Sequence, residues 1–135
     1  MVTLHLLAYL EDNGFGAMDT TLFFEKLPLG KNGLAIFSRG GERAYGRKRA
    51  VQSFDLYSRG SSDLLGYDKL EKVAEFFASN FDNLCQLPTI ENVSNRVYKN
   101  ARITTIDNIE NLGLDENDRV LFRLGAQIIY EKQSS

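Results

Sequence analysis

Val120-Leu121-Phe122-Arg123-Leu124-Gly125-Ala126-Gln127-Ile128-Ile129-Tyr130 decides how this chain is read. Val120, Phe122, Leu124, Ala126, Ile128 and Tyr130 form an almost wholly apolar set. Leu121, Arg123, Gly125, Gln127, Ile129 and Glu131 alternate with them as a mixed set. Successive side chains of a strand point to opposite faces, so the alternation predicts a long strand with one face on a core. A second extended run covers residues 97–109. Between the two runs, Asp115, Glu116, Asn117 and Asp118 supply turn chemistry, because Asp and Asn bond their own backbone and tolerate left-handed dihedrals. Residues 97–131 are therefore expected to form one long antiparallel hairpin.

Upstream of that hairpin lies the strongest helical signal. Leu64, Tyr67, Leu70, Val73, Ala74, Phe77, Phe81 and Leu84 recur at three- and four-residue steps behind a capping Ser61-Ser62-Asp63, with Lys69, Glu71, Lys72 and Glu75 on the outer side. Phe76 falls off the stripe. It is expected at the rim of the core, with a partner contact as the sharper alternative, since exposed aromatics favour interfaces. Nearer the start, Val2, Leu4, Leu6, Leu7 and Leu10 predict a short amphipathic helix stopped by Asn13-Gly14. Residues 21–27, 34–38 and 50–58 read as strands; in the last, Phe54 and Leu56 share one face and Val51, Asp55 and Tyr57 the other. Pro88 interrupts an irregular stretch over residues 84–94. The expected order is α-β-β-β-α-β-β: an α+β fold, with two helices on one face of a mainly antiparallel sheet of about five strands.

Composition sets the outer bounds. The 135 residues fit a single domain, 43% of them are hydrophobic, and the net charge of −2 argues against a general nucleic-acid binder. Cys85 is the only cysteine, so neither an internal disulfide nor a cysteine-based metal site is expected. No apolar run reaches the ~18 residues of a membrane span, and the apolar start has no basic region or cleavage site of a signal peptide.

Few residues suggest chemistry. His5, the sole histidine, is expected to be an ordinary, partly exposed helix residue, and Cys85 a core thiol, so no nucleophile–base pair is assembled. Gly41-Glu42-Arg43-Ala44-Tyr45-Gly46-Arg47-Lys48 approaches a P-loop, but the Lys-Ser/Thr after the second glycine is missing and a strand follows where the motif needs a helix. Asp115, Glu116 and Asp118 lack the spacing and internal glycine of a calcium loop. No catalytic residue, cofactor or metal is therefore expected. One charge cluster stands out. Arg39, Arg43, Arg47, Lys48 and Arg49, with Tyr45 among them, face only Glu42. A solvated hairpin tip explains them; the functional alternative is contact with an acidic partner surface or a nucleic-acid backbone.

The order of segments carries a resemblance. A first helix ends in Asn13-Gly14-Phe15-Gly16; Leu22-Phe23-Phe24-Glu25-Lys26-Leu27-Pro28 and Gly33-Leu34-Ala35-Ile36 follow; Phe54-Asp55-Leu56-Tyr57-Ser58-Arg59-Gly60 leads into the long helix; and Leu114-Asp115-Glu116-Asn117-Asp118-Arg119 precedes the last strand. Over nearly the whole chain this resembles the minor capsid and tail terminator proteins of long-tailed bacteriophages. The resemblance implies a structural virion protein, not an enzyme. Such proteins assemble into a ring, commonly a hexamer, at the head-proximal end of the tail tube, where the ring stops growth and meets the head connector. It implies as partners further copies of the chain, the tail tube protein and head connector proteins, with no membrane and no specific nucleic acid, in the virion tail or in the host cytoplasm during assembly. A head-completion protein of the same fold is the alternative, and a nucleic-acid module using residues 39–49 a third. Arg39, Arg43, Tyr45, Arg47, Lys48 and Arg49 on one loop, and Asp115, Glu116, Asp118 and Arg119 on another, are the candidates for the axial faces of such a ring.

Overall fold

A computed structural model describes residues 1–80, 83–115 and 118–133. The elements are α1 (Val2–Asp12), β1 (Leu22–Phe24), β2 (Gly33–Ser38), β3 (Arg43–Tyr45), β4 (Arg49–Arg59), α2 (Asp63–Ser79), β5 (Val97–Ile106), β6 (Glu110–Leu114) and β7 (Val120–Gln133). Two helices and a mixed, mostly antiparallel sheet make an α+β fold. The sheet has seven strands rather than about five, in the order α-β-β-β-β-α-β-β-β. The expected 97–131 hairpin is cut in two: β5 pairs with the C-terminal half of β7, and β6 with its N-terminal end. The break follows the end of β5, where the Asp107 N–H donates to the Gly125 carbonyl. No helix among the described residues is long and apolar enough to cross a membrane.

The ladder of β4 and β7 is the axis of the molecule. Arg49 to Arg59 pair without a register shift against Glu131 to Leu121. Eleven residues at about 3.3 Å each make this ladder roughly 35 Å long. Each long strand is flanked on its outer side by two shorter ones, end to end. Against β4 lie β2 at one end and β3 at the other; against β7 lie β6 and β5. β1 adds to β2 in parallel.

The alternation in β4 and β7 separates two faces. Leu34 and Ile36 of β2, Phe54 and Leu56 of β4, and Leu124 and Ile128 of β7 join Leu6, Leu7 and Leu10 of α1 and Leu70, Val73 and Phe77 of α2 in one core. Both helices therefore lie on this face. Phe77 meets Phe54 edge to face, and Tyr9 of α1 meets Phe76 of α2. The Ser62 hydroxyl accepts from the Leu65 N–H and caps α2 as expected. The helix is shorter than its periodicity suggests, ending at Ser79. Asn80 stops it: its side chain donates to the Asn83 carbonyl and accepts from the Ile103 N–H, tying the helix end to β5. Leu84 is consequently 59% exposed instead of completing the stripe, and Phe81 lies outside the described residues.

Candidate interaction surfaces

The charged loop over residues 39–49 is largely a hairpin. Arg43, Ala44 and Tyr45 of β3 pair with Val51, Ala50 and Arg49 of β4. Gly46, Arg47 and Lys48 form the turn, and Gly46 takes the positive φ of +79° that glycine tolerates. Nothing in the P-loop-like segment opens a helix, since β4 follows directly. Arg43, Tyr45, Arg47, Lys48 and Arg49 are all exposed. None of the four cations makes an ion pair among the described residues, and Tyr45 projects with 58% of its surface free. The only anion in the loop is engaged by its own chain. The Glu42 carboxylate accepts hydrogen bonds from the Lys132 ammonium at 2.7 Å and from the Tyr130 hydroxyl. Burial pushes Glu42 upward, but these bonds outweigh it and hold the carboxyl below its ordinary range. Burial, and then the bond to Glu42, raise the Tyr130 phenol far above its own. A groove of about 760 Å³ runs beside the hairpin, lined by Arg47, Lys48, Arg49, Lys99 and Lys132 with Glu131 among them. The hairpin end is net positive because Arg43, Arg47, Lys48, Arg49, Lys99 and Lys132 outnumber Glu42 and Glu131 there.

Arg39 stands apart from this group. It lies before β3, and its guanidinium is 3.9 Å from Asp55 on the face away from the helices.

The Asp115–Arg119 turn sits at the opposite end of the ladder, next to Arg59 and Val120. Here the charges meet one another. Asp115 pairs with Arg59 at 3.3 Å and with Arg119 at 3.8 Å. Arg119 also donates to the Asn32 side chain at 2.6 Å, and the Arg119 N–H donates to the Asp115 carboxylate. Asp118 is exposed with a left-handed φ of +58°, as turn chemistry predicts. Glu116 lies outside the described residues.

Arg59 escaped the sequence reading. It is 5% exposed, and its guanidinium donates to the carbonyls of Pro28 and Lys31. Those carbonyls belong to the eight residues, 25–32, that connect the parallel strands β1 and β2. Parallel strands usually need a connection of about a dozen residues or more. Gly33 shows how tight this one is, since a side chain there would collide with the Thr21 backbone. Arg59 therefore pins a short crossover from the inside.

Phe76 is half-buried, with its ring 5.5 Å from Tyr9 and 5.1 Å from Phe15. These contacts put it at the rim of the core. His5 corrects the expectation of an exposed helix residue. It is fully buried; its Nδ1 lies 2.8 Å from the Pro88 carbonyl and its Nε2 2.9 Å from the Ser94 hydroxyl. The ring also meets Tyr98 edge to face. The irregular stretch after α2 folds back over α1 and covers it, which helical periodicity does not report. Burial lowers its pKa. Cys85 is partly buried, and burial raises its thiol pKa, the direction of an inert thiol. No group of three or more potential metal ligands meets among the described residues.

No protein-family model matches the chain, and no curated protein matches it either.

Proposed function

We propose that the chain is a structural assembly protein of long-tailed bacteriophages, a tail terminator that forms a ring on the head-proximal end of the tail tube. One observation carries the reading. The two loops with distinctive charge stand at opposite ends of a continuous ladder about 35 Å long. A tube grows because the top of one ring matches the bottom of the next, a head-to-tail contact that never closes on itself. A protein that ends such growth needs two unlike ends held a fixed distance apart, and flanks that meet copies of itself. An unbroken eleven-residue pairing holds the ends apart. The hairpin end is exposed and positive, whereas at the other end Arg59 and Arg119 both meet Asp115. Electrostatic difference of this kind orients docking more than it adds affinity.

The test is polymerisation of tail tube protein with and without the chain, imaged by negative stain. The expected outcome is tubes capped at one end and shorter as the chain is added. Unchanged tube length and bare ends overturn the reading. Binding only to filled heads replaces it with the head-completion reading of the same fold. The unpaired hairpin cations favour one further reading, contact with a nucleic-acid backbone. It requires oligonucleotide binding that weakens steeply with salt.

A further inference from the structure

The charged surface at the hairpin end extends beyond the hairpin itself. Tyr45, Arg49, Glu131 and Lys99 stand opposite one another on β3, β4, β7 and β5. Directly opposed residues of antiparallel strands share a face, so these four form one row across the sheet, about 14 Å from end to end. The next row on the same face runs Arg43, Val51, Ile129 and Arg102. It is the face away from the helices, since Ala50, between Arg49 and Val51, belongs to the core. Two grooves flank the hairpin and share Arg47, Lys48 and Arg49. One, of about 760 Å³, continues to Lys99 and Lys132. The other, of about 440 Å³, opens on Tyr45.

Arg43, Arg47, Lys48, Arg49 and Lys99 make no ion pair among the described residues. The two acids beside them already have donors. Glu131 accepts from the Asn100 side chain at 2.6 Å, and Glu42 from Lys132 and Tyr130. The whole chain carries −2, so the surface elsewhere is acidic. A polyanion is therefore drawn to this end and repelled by the rest. Its kind follows from what lies among the cations. Tyr45, 58% exposed, is the only large apolar side chain among the described residues of either groove. An acidic protein surface would need an apolar centre to bury, which these grooves lack. A single nucleic-acid strand needs what is present: cations along its phosphates and an aromatic ring on which a base stacks. We infer that the hairpin end binds single-stranded nucleic acid, whose backbone crosses the row from Lys99 to Arg49, meets Arg47 at the tip and lays one base on Tyr45. Phosphate contacts carry no sequence information, so the binding is sequence-tolerant. A duplex keeps its bases stacked on one another and offers Tyr45 nothing. The inference deepens the nucleic-acid reading of the hairpin and rests on it; the ring is not needed for it.

Fluorescence anisotropy of a short labelled oligodeoxythymidine, with a duplex of the same length for comparison, tests the site. The wild type is expected to bind the single strand at low salt, its log affinity falling with log salt at a slope of about −3 as four or five phosphates are neutralised. Lys99→Ala, outside the hairpin, is expected to reduce that slope by roughly 0.7 and to weaken binding severalfold. Tyr45→Ala is expected to leave the slope unchanged and to weaken single-strand binding about tenfold, with no effect on the duplex. Glu131→Gln removes the acid between Arg49 and Lys99 and is expected to strengthen binding, a gain that a damaged fold does not mimic. Absence of binding at low salt overturns the inference together with the nucleic-acid reading. Binding that needs Arg47 and Arg49 but ignores Lys99 and Tyr45, or that favours the duplex, leaves that reading standing and overturns the single-strand site. Polyglutamate held as tightly as the oligonucleotide assigns the patch to an acidic protein and overturns both. None of these outcomes depends on whether the chain caps tubes.

Discussion

At one end of the β4–β7 ladder Arg59 is buried, bonded to two carbonyls and ion-paired with Asp115; at the other, Arg43, Arg47, Lys48 and Arg49 stand in solvent without an ion pair among the described residues. Residue type alone does not distinguish them. Arg59 faces the carbonyls of a cramped crossover, whereas Arg43 lies on a fully exposed three-residue strand, Arg47 in the turn after it and Arg49 at the exposed start of β4. A buried cation with matched acceptors is part of the architecture. An exposed cation without one remains available to another molecule.

The largest expected effect breaks the comparison at the buried end. Arg59→Met takes the side-chain donor from the Lys31 carbonyl, leaves the Pro28 carbonyl with only the Lys31 N–H at 3.3 Å, and removes one of the cations that face Asp115. Removing one member of a buried pair costs about 3 kcal/mol or more, measurable by urea denaturation. Detachment of residues 25–32 should show as faster amide exchange in β1. A loss below about 0.5 kcal/mol would mean that Arg59 does not hold the crossover.

The contrast also marks what was legible in the sequence. β4 and β7 are written in it where they alternate, at Phe54 and Leu56 and from Val120 to Tyr130, because a strand with one face on a core must alternate. The faces assigned to Phe54, Leu56, Asp55 and Tyr57 agree with the pairing. β3 and β6 left no such trace. Every residue of both is exposed, so nothing selects an alternation, and they exist because β4 and β7 offer them an edge. The burial of His5 and the pairing of Arg59 with Asp115 depend on segments far apart in the chain. Local periodicity holds no record of either. For the same reason the hairpin cations were visible as a cluster, but the bonds that tie Glu42 to Tyr130 and Lys132 were not.

A smaller effect comes from acid. His5 meets Tyr98 edge to face, Tyr98 meets Tyr130 likewise, and the Tyr130 hydroxyl donates to Glu42, so a line of contacts runs from α1 to the hairpin end. The folded-state pKa of His5 is depressed by burial, so the native protein holds this ring neutral. Its contribution is complete above about pH 6.5, the unfolded value, and is lost as pH falls through and below that point. Glu42, also depressed in the native state, stabilises above its unfolded value and adds a further loss at lower pH. Denaturation midpoints should therefore fall between pH 7 and 5. His5→Gln should remove that slope, at a cost of about 1–2 kcal/mol for imperfectly replaced hydrogen bonds. A slope that survives the substitution would assign it to another group.

The smallest expected change in stability comes from the hairpin, and it is the sharpest test of the difference between the ends. Arg43→Ala, Arg47→Ala and Arg49→Ala made together remove three exposed cations that pair with nothing among the described residues. Exposed substitutions of this kind usually stay within about 0.5 kcal/mol each. Relief of repulsion among neighbouring like charges offsets part of any loss. The denaturation midpoint should barely move, while salt-sensitive oligonucleotide binding should weaken strongly. The two readouts are independent, so each possible result is informative. A variant that loses stability as Arg59→Met does would show the hairpin charges to be structural after all. One that keeps both stability and binding would leave the cations without a role in recognition, and the distinction between the two ends would reduce to their exposure.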